Sequence, residues 1–117
     1  MKFETYLTED AEYIVVAYGT VARIVKNAIH KARKDGVKVG LIRPISLWPY
    51  PQQPFNETRE RVKSYLTVEM STGQMVEDVR LAVDGQCPVH FFGRTGGMVP
   101  TQEEIYHQIV EIAGGEQ

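Results

Sequence analysis

The sequence predicts an α/β domain, a mostly parallel sheet covered by helices on both faces. Three observations carry that prediction. The run Tyr-Ile-Val-Val-Ala-Tyr at 13–18 is β-prone and uninterrupted by polar residues, as in a strand buried on both sides. A helix-periodic segment and then a second apolar strand follow it, forming a β-α-β unit expected to be right-handed. The alternation continues to give four strands and four helices.

The first strand closes at Gly19-Thr20. Val21, Ile24, Val25, Ala28, Ile29 and Ala32 then recur at helical spacing, with Arg23, Lys26, Lys31 and Lys34 on the opposite side. The cations suit the C-terminal end of the macrodipole, and Gly36 stops the helix. A second strand over 37–42 is expected to end at Arg43-Pro44, because proline has no N–H to give a central ladder.

Residues 44–54 are rich in proline and include Trp48-Pro49-Tyr50-Pro51, a stiff aromatic connection. A short helix is expected over 55–64, with a stripe through Phe55, Arg59 and Val62. The third strand is placed at 65–70. Ser71 as N-cap and Gln74 at N3 then match a capping box, with Met70 and Met75 as its hydrophobic staple. That helix runs through Met75, Val76, Val79, Ala82 and Val83 to Gly85.

The fourth strand covers 88–92, and a glycine-rich loop follows at 93–97. A second capping box, Thr101 with Glu104, opens the last helix, whose apolar positions are Ile105, Ile109, Ile112 and Ala113. At the N-terminus, residues 2–7 alternate polar and apolar side chains and are expected to add an antiparallel edge strand. The tail at 114–117 is expected to fray.

The 117 residues, 43% of them hydrophobic and 24% charged, suit one folded domain. Thirteen Lys and Arg stand against fifteen Asp and Glu without a long basic run, which argues against nucleic acid or an anionic membrane as partner. A single cysteine excludes an internal disulfide and any four-thiolate zinc or iron–sulfur site built from this chain alone. The expected compartment is the cytoplasm. No apolar run approaches the roughly 20 residues of a bilayer span, and no signal-peptide pattern opens the chain.

Open parallel sheets place ligands beyond the carboxyl ends of their strands. Here those ends carry Gly19-Thr20, Arg43, Glu69-Met70-Ser71 and Gly93-Arg94, with Gly96 in the last loop. Two arginines beside glycine-flanked helix starts suit a phosphate or carboxylate. Turn chemistry and docking against another domain explain the same residues, and neither glycine loop meets a nucleotide fingerprint. Glu69 reads as a strand-end ion pair with Arg43 or Arg94 before it reads as a general base. His30, His90 and His107 share no metal-ligand spacing, and Cys87 reads as a spectator thiol. Trp48 on its stiff loop is either an interface anchor or a cap on the domain's own core.

Taken in order, several runs resemble one family: Ala17-Tyr18-Gly19-Thr20 with Arg23; Gly40-Leu41-Ile42-Arg43-Pro44-Ile45; Leu47-Trp48-Pro49-Tyr50-Pro51; Glu69-Met70-Ser71-Thr72-Gly73-Gln74-Met75 with Asp78-Val79-Arg80; Phe92-Gly93-Arg94-Thr95-Gly96-Gly97; and Pro100-Thr101-Gln102-Glu103-Glu104-Ile105. They are similar to the C-terminal domain of the alpha subunit of 2-oxoacid:ferredoxin oxidoreductases, over essentially the whole chain. The run at 69–75 followed by Phe92-Gly93-Arg94 looks closest to the 2-oxoisovalerate (3-methyl-2-oxobutanoate) branch.

The resemblance implies a transketolase C-terminal-like fold: a three-layer α/β/α domain with a mostly parallel five-stranded sheet whose first strand is antiparallel. It implies one domain over 1–117, a fragment of a longer alpha subunit. Such an enzyme oxidatively decarboxylates a 2-oxoacid with coenzyme A to acyl-CoA and carbon dioxide, and passes electrons through iron–sulfur clusters to ferredoxin. Its thiamine diphosphate and Mg sit in other domains, on a Gly-Asp-Gly and Asn motif that this chain lacks; Lys34 and Val83 precede Asp35-Gly36 and Asp84-Gly85.

The chain is therefore expected to bind no cofactor, to hold no catalytic residue and to be inactive alone. Its expected partners are the remaining domain of the alpha subunit and the other subunits, with ferredoxin and coenzyme A at the level of the complex. Gly19, Thr20, Arg43, Trp48, Glu69, Arg94 and Gly96 are its candidate anion-binding or interface residues. Two alternatives stand beside this: a regulatory module holding an anion or coenzyme A through Arg43 and Arg94, and the C-terminal domain of a transketolase or 2-oxoacid dehydrogenase component. The latter shares the fold but not the Arg43-Pro44 and 69–75 signatures.

Overall fold

Phe3–Tyr6 (β1), Tyr13–Val16 (β2), Val39–Pro44 (β3), Ser64–Glu69 (β4) and Val89–Gly93 (β5) form one sheet in the order β1-β3-β2-β4-β5. The computed structural model describes residues 2–17, 19–45, 51–70, 74–93 and 99–115. The strands β3, β2, β4 and β5 are parallel, and β1 joins the edge antiparallel to β3. The helices are Thr20–Lys34 (α1), Gln53–Thr58 (α2), Gln74–Val83 (α3) and Gln102–Gly115 (α4).

All four residues of β2 are buried, and they alternate between two cores. Tyr13 and Val15 join the apolar stripes of α1 and α4 on one face, whereas Ile14 and Val16 meet Phe55, Met75 and Val79 on the other. This is the expected three-layer arrangement with the expected antiparallel edge. From β2 the chain moves outward to β3 and then crosses back to β4 on the other side, so the sheet order reverses between β2 and β4.

Helix α1 buries Val21, Ala22, Val25, Ala28, Ile29 and Ala32. Ala22 takes a place in the stripe, and Ile24 is half-buried at its margin. The helix ends as its glycine requires: Gly36, at φ +90°, donates to the Arg33 carbonyl at 3.0 Å, and Val37 donates to the Ala32 carbonyl at 3.1 Å. At α4 the capping box forms in both directions. The Thr101 N–H donates to Glu104 Oε1 at 3.0 Å, and the Glu104 N–H donates to Thr101 Oγ1 at 3.1 Å.

Several boundaries shift from the sequence expectation by a residue or more, and at β3 and α2 a tertiary partner overrides a local signal. β3 runs on through Pro44, since its last residues pair with the edge strand rather than inside the sheet, with Pro44 opposite Phe3. The Ile45 N–H donates to the Lys2 carbonyl, so alternation leaves Pro44 where no donor is called for. α2 spans Gln53–Thr58 instead of 55–64. The Lys63 N–H donates to the Glu12 carbonyl at 2.7 Å and Ser64 pairs with Tyr13, which draws 63–64 into the sheet. Phe55 and Val62 are both buried, but they reach the core from a helix and a turn, not from one stripe. The capping box expected at Ser71–Gln74 lies largely outside the described residues, and α3 is described from Gln74 onward. Met75 is buried, and Met70 is 36% exposed.

The connection from β1 to β2 passes over the amino end of β3, and two arginines hold it there. Arg33 donates from Nη2 to the Leu7 carbonyl and from Nε to the Val39 carbonyl, both at 2.9 Å, and its two Nη groups grip Asp10 at 2.8 and 3.2 Å. The guanidinium keeps the Asp10 carboxyl below its ordinary range. From the other side, Arg61 donates to the Ala11 and Thr8 carbonyls at 3.0 and 2.8 Å. The strand beneath must be bare: a Cβ on Gly40 would lie 2.5 Å from the Leu7 carbonyl oxygen.

Gly40→Ala is therefore expected to cost about 1–3 kcal/mol of overpacking, read as a lower urea midpoint at unchanged slope. Tyr65 supplies a second test. It is fully buried, its hydroxyl shares a hydrogen bond with Thr58 Oγ1, and burial pushes its phenol from 10.0 up to about 12. Because the folded value is raised, its contribution is intact below the unfolded value near 10.0 and is lost as pH rises toward about 12. Absorbance at 295 nm should show one tyrosine ionising well above the others, with stability falling over that interval.

Candidate functional site

The register of β1 on β3 places Glu4 opposite Arg43. Val39 and Leu41 point into the α1/α4 core, so Arg43, next on that side of β3, emerges beside the start of α1. Arg23 and Lys26 stand one turn apart on the polar face of that helix. Together with the backbone at Gly19 and Thr20, these side chains line a cleft of about 440 Å³ at the carboxyl ends of β2 and β3.

Three cations thus face one carboxylate. Lys26 Nζ lies 3.1 Å from Glu4 Oε1, and Arg43 Nη1 lies 3.9 Å from Glu4 Oε2. The second distance is an ion pair too long for a hydrogen bond. Arg43 Nε and Glu4 Oε1 are buried without a hydrogen-bond partner among the described residues, and Glu4 Oε1 keeps Lys26 at ion-pair distance only. Arg23 is exposed and has no partner among the described residues.

The helix end is also open. Gly19 is its N-cap at φ +69°, ψ −147°, a conformation that glycine alone adopts easily; no side chain caps the helix, and no acidic residue stands in its first turn. The free N–H groups and macrodipole of α1 add to the positive field of the cleft.

The predicted site residues separate into two groups. Gly19, Thr20 and Arg43 come together in this cleft, while Glu69 does not join them. Arg43 lies near the end of β3 and Glu69 ends β4, with β2 between the two strands, and Arg43 pairs with Glu4 instead. Glu69 is buried, and its two oxygens accept the N–H groups of Met75 and Val76 at 3.0 Å each. It thereby satisfies two amides near the start of α3, because a carboxylate can accept from two donors at once and also suits the dipole. This use corrects the ion pair with Arg43 and leaves the general-base reading without support. Trp48, Ser71, Arg94 and Gly96 lie outside the described residues.

Glu4, Arg23 and Lys26 were missed as a group. Arg23 and Lys26 carried a signal in their i, i+3 spacing behind Gly19-Thr20, whereas Glu4 is placed only by strand register. The described residues do not suit a metal-bridged diphosphate: no three His, Cys, Asp or Glu side chains gather to hold an ion, and the half-buried Cys87 is a single thiol.

Comparison with known proteins agrees with the fold. The family model described as pyruvate:ferredoxin oxidoreductase core domain II matches residues 11–105. A ketoisovalerate oxidoreductase subunit, VorB of Methanothermobacter marburgensis, is 44% identical over 114 residues; the match takes in 97% of this chain and 32% of that subunit. The chain thus spans about a third of the length of that relative. Among solved structures, a 2-oxoglutarate:ferredoxin oxidoreductase from Magnetococcus marinus superimposes with a TM-score of 0.82 at 22% identity, over 95% of this chain and 19% of that one. A split-gene transketolase, an inactive β4 tetramer, also gives 0.82, at 15% identity over 99% of this chain and 42% of that one. At these identities the two structures speak for the fold, which is transketolase-like as expected.

Replacing Glu69 tests its structural role. Glu69→Ala leaves two buried donors without their acceptors and is expected to cost about 1–3 kcal/mol, with early amide exchange at Met75 and Val76. Glu69→Gln keeps one acceptor oxygen and should lose less. Equal stability of Glu69→Ala and the parent chain would reject the cap.

Proposed function

The chain belongs to the pyruvate:ferredoxin oxidoreductase core domain II family, and from that premise we propose that it is the C-terminal assembly domain of a ketoisovalerate-type 2-oxoacid:ferredoxin oxidoreductase subunit. The observation that carries this is the 44% identity to a ketoisovalerate oxidoreductase subunit over 97% of the chain. In the complete enzyme, 2-oxoisovalerate and coenzyme A give the acyl-CoA and carbon dioxide, and the electron pair passes to ferredoxin. Thiamine diphosphate, Mg and the iron–sulfur clusters belong to the other domains and subunits.

The chemistry of the chain supports an assembly role. One cysteine cannot hold a cluster, and no thiamine diphosphate motif is present. Both sheet faces are already covered by the domain's own helices, which leaves the strand-end rim and the β1 and β5 edges for neighbours. On the β5 edge Val89 and Phe92 are half-buried and Phe91 is 40% exposed, an apolar strip suited to a second domain. No helix among the described residues is long and apolar enough to cross a membrane; the proposed compartment is the cytoplasm.

The test compares the 117-residue chain with the assembled complex. The chain alone is expected to bind no thiamine diphosphate by calorimetry and to reduce no viologen dye with 2-oxoisovalerate and coenzyme A. The complex should do both, with a higher kcat/KM for 2-oxoisovalerate than for pyruvate or 2-oxoglutarate. Binding of thiamine diphosphate by the chain alone would sink the assembly role, and a preference for 2-oxoglutarate would sink the substrate assignment.

A further inference from the structure

We propose that the cleft between α1 and the β1 edge is a binding site for the phosphoryl group of a small phosphorylated ligand, held by Arg23, Lys26 and Arg43. The inference rests on side chains of this chain alone and is independent of the oxidoreductase assignment.

Charge supplies the first argument. Among the described residues of the cleft lining, Arg23, Lys26 and Arg43 face Glu4 as the single carboxylate, so these side chains carry a surplus of two positive charges in a chain whose net charge is −2. A cluster of cations that are not neutralised by their neighbours is unfavourable by itself, and an anion removes the repulsion.

Unused donors supply the second. Arg43 meets Glu4 at 3.9 Å rather than through a bidentate fork, and its Nε–H is buried with no acceptor among the described residues. A guanidinium has five N–H donors, and an acceptor entering the cleft would engage those that Glu4 leaves idle. Arg23 brings a second guanidinium from α1, without a partner among the described residues.

Geometry selects the class of anion. A planar carboxylate has two oxygens, and Glu4 already presents them to Lys26 and Arg43. A phosphoryl group offers three acceptor oxygens in different directions and a second negative charge, matching cations that converge from a strand and a helix. The cleft of about 440 Å³ leaves ample room for a phosphoryl group beside these side chains. Glu4 then acts as a built-in competitor that holds Lys26 until the phosphoryl group displaces it.

Inorganic pyrophosphate is the probe, titrated into the 117-residue chain while amide chemical shifts are followed, with citrate as a polycarboxylate control. Saturable shifts are expected at the amides of Thr20, Val21 and Ala22. Arg43→Ala and Arg23→Ala should each weaken binding by about tenfold or more, the usual scale for a charge-assisted hydrogen bond. Glu4→Gln should tighten it, and added salt should weaken it. Arg23 is exposed, so its variant keeps the fold and decides the matter even if Arg43→Ala unfolds. The proposal is overturned by an absence of saturable shifts at these amides, by an affinity that Arg23→Ala leaves unchanged, or by citrate binding as tightly as pyrophosphate. It is also overturned if the assembled complex cannot bind pyrophosphate here, since the cations would then face a neighbouring domain.

Discussion

Burial of β2 on both faces is the constraint from which the rest of the molecule follows. Ile14, Val15 and Val16 have at most 1% of their surface exposed, and a backbone placed that deep must satisfy every N–H and C=O without water. β2 therefore pairs on both sides, with β3 and with β4. Its apolar side chains require a helical layer above and another below, which α1 with α4 and α2 with α3 provide. Once both faces and both edges of that strand are occupied, only its ends remain available for chemistry or contact.

The ends are managed by charged side chains acting on backbone atoms. At the amino end of the sheet, Arg33 and Arg61 donate to carbonyls of the β1–β2 connection and hold it over Gly40. At the carboxyl end, Glu69 accepts the first amides of α3. These charges are engaged by the fold itself. Arg23, Lys26 and Arg43 differ, because a single carboxylate faces them and part of their donor capacity is idle. The two ends of the sheet thus use the same residue types differently, and what separates them is whether a backbone partner is within reach.

Much of the fold was legible in the sequence where its signal was local. The two-sided apolar run of β2, the stripe of α1, the stop at Gly36 and the Thr101–Glu104 box all formed as read, since each depends on residues within a turn or two of one another. The errors occurred where two local signals competed for the same residues. Glu69 was read as a strand-end ion pair with Arg43 or Arg94, but strand geometry placed its carboxylate against two amides of α3 at once. Val62 had helical spacing from Phe55, but pairing of Ser64 with Tyr13 pulled the intervening chain into a turn. Family membership was readable because its motifs are runs of adjacent residues in fixed order.

The candidate site was legible only in part, and the reason is physical. Gly19, Thr20 and Arg43 were marked by their position at strand ends, which a pattern of strands and helices already defines. That Glu4 opposes Arg43 and approaches Lys26 depends on the register of an antiparallel edge strand, and register is set by packing between segments about forty residues apart. By itself the sequence determined the layers, the order of elements and the absence of cluster-binding thiols, because composition and period are properties of the chain. The tertiary structure alone decided which carboxylate caps a helix, why Gly40 must be bare and which cations share a cleft, because those depend on distances between segments that are remote in the chain.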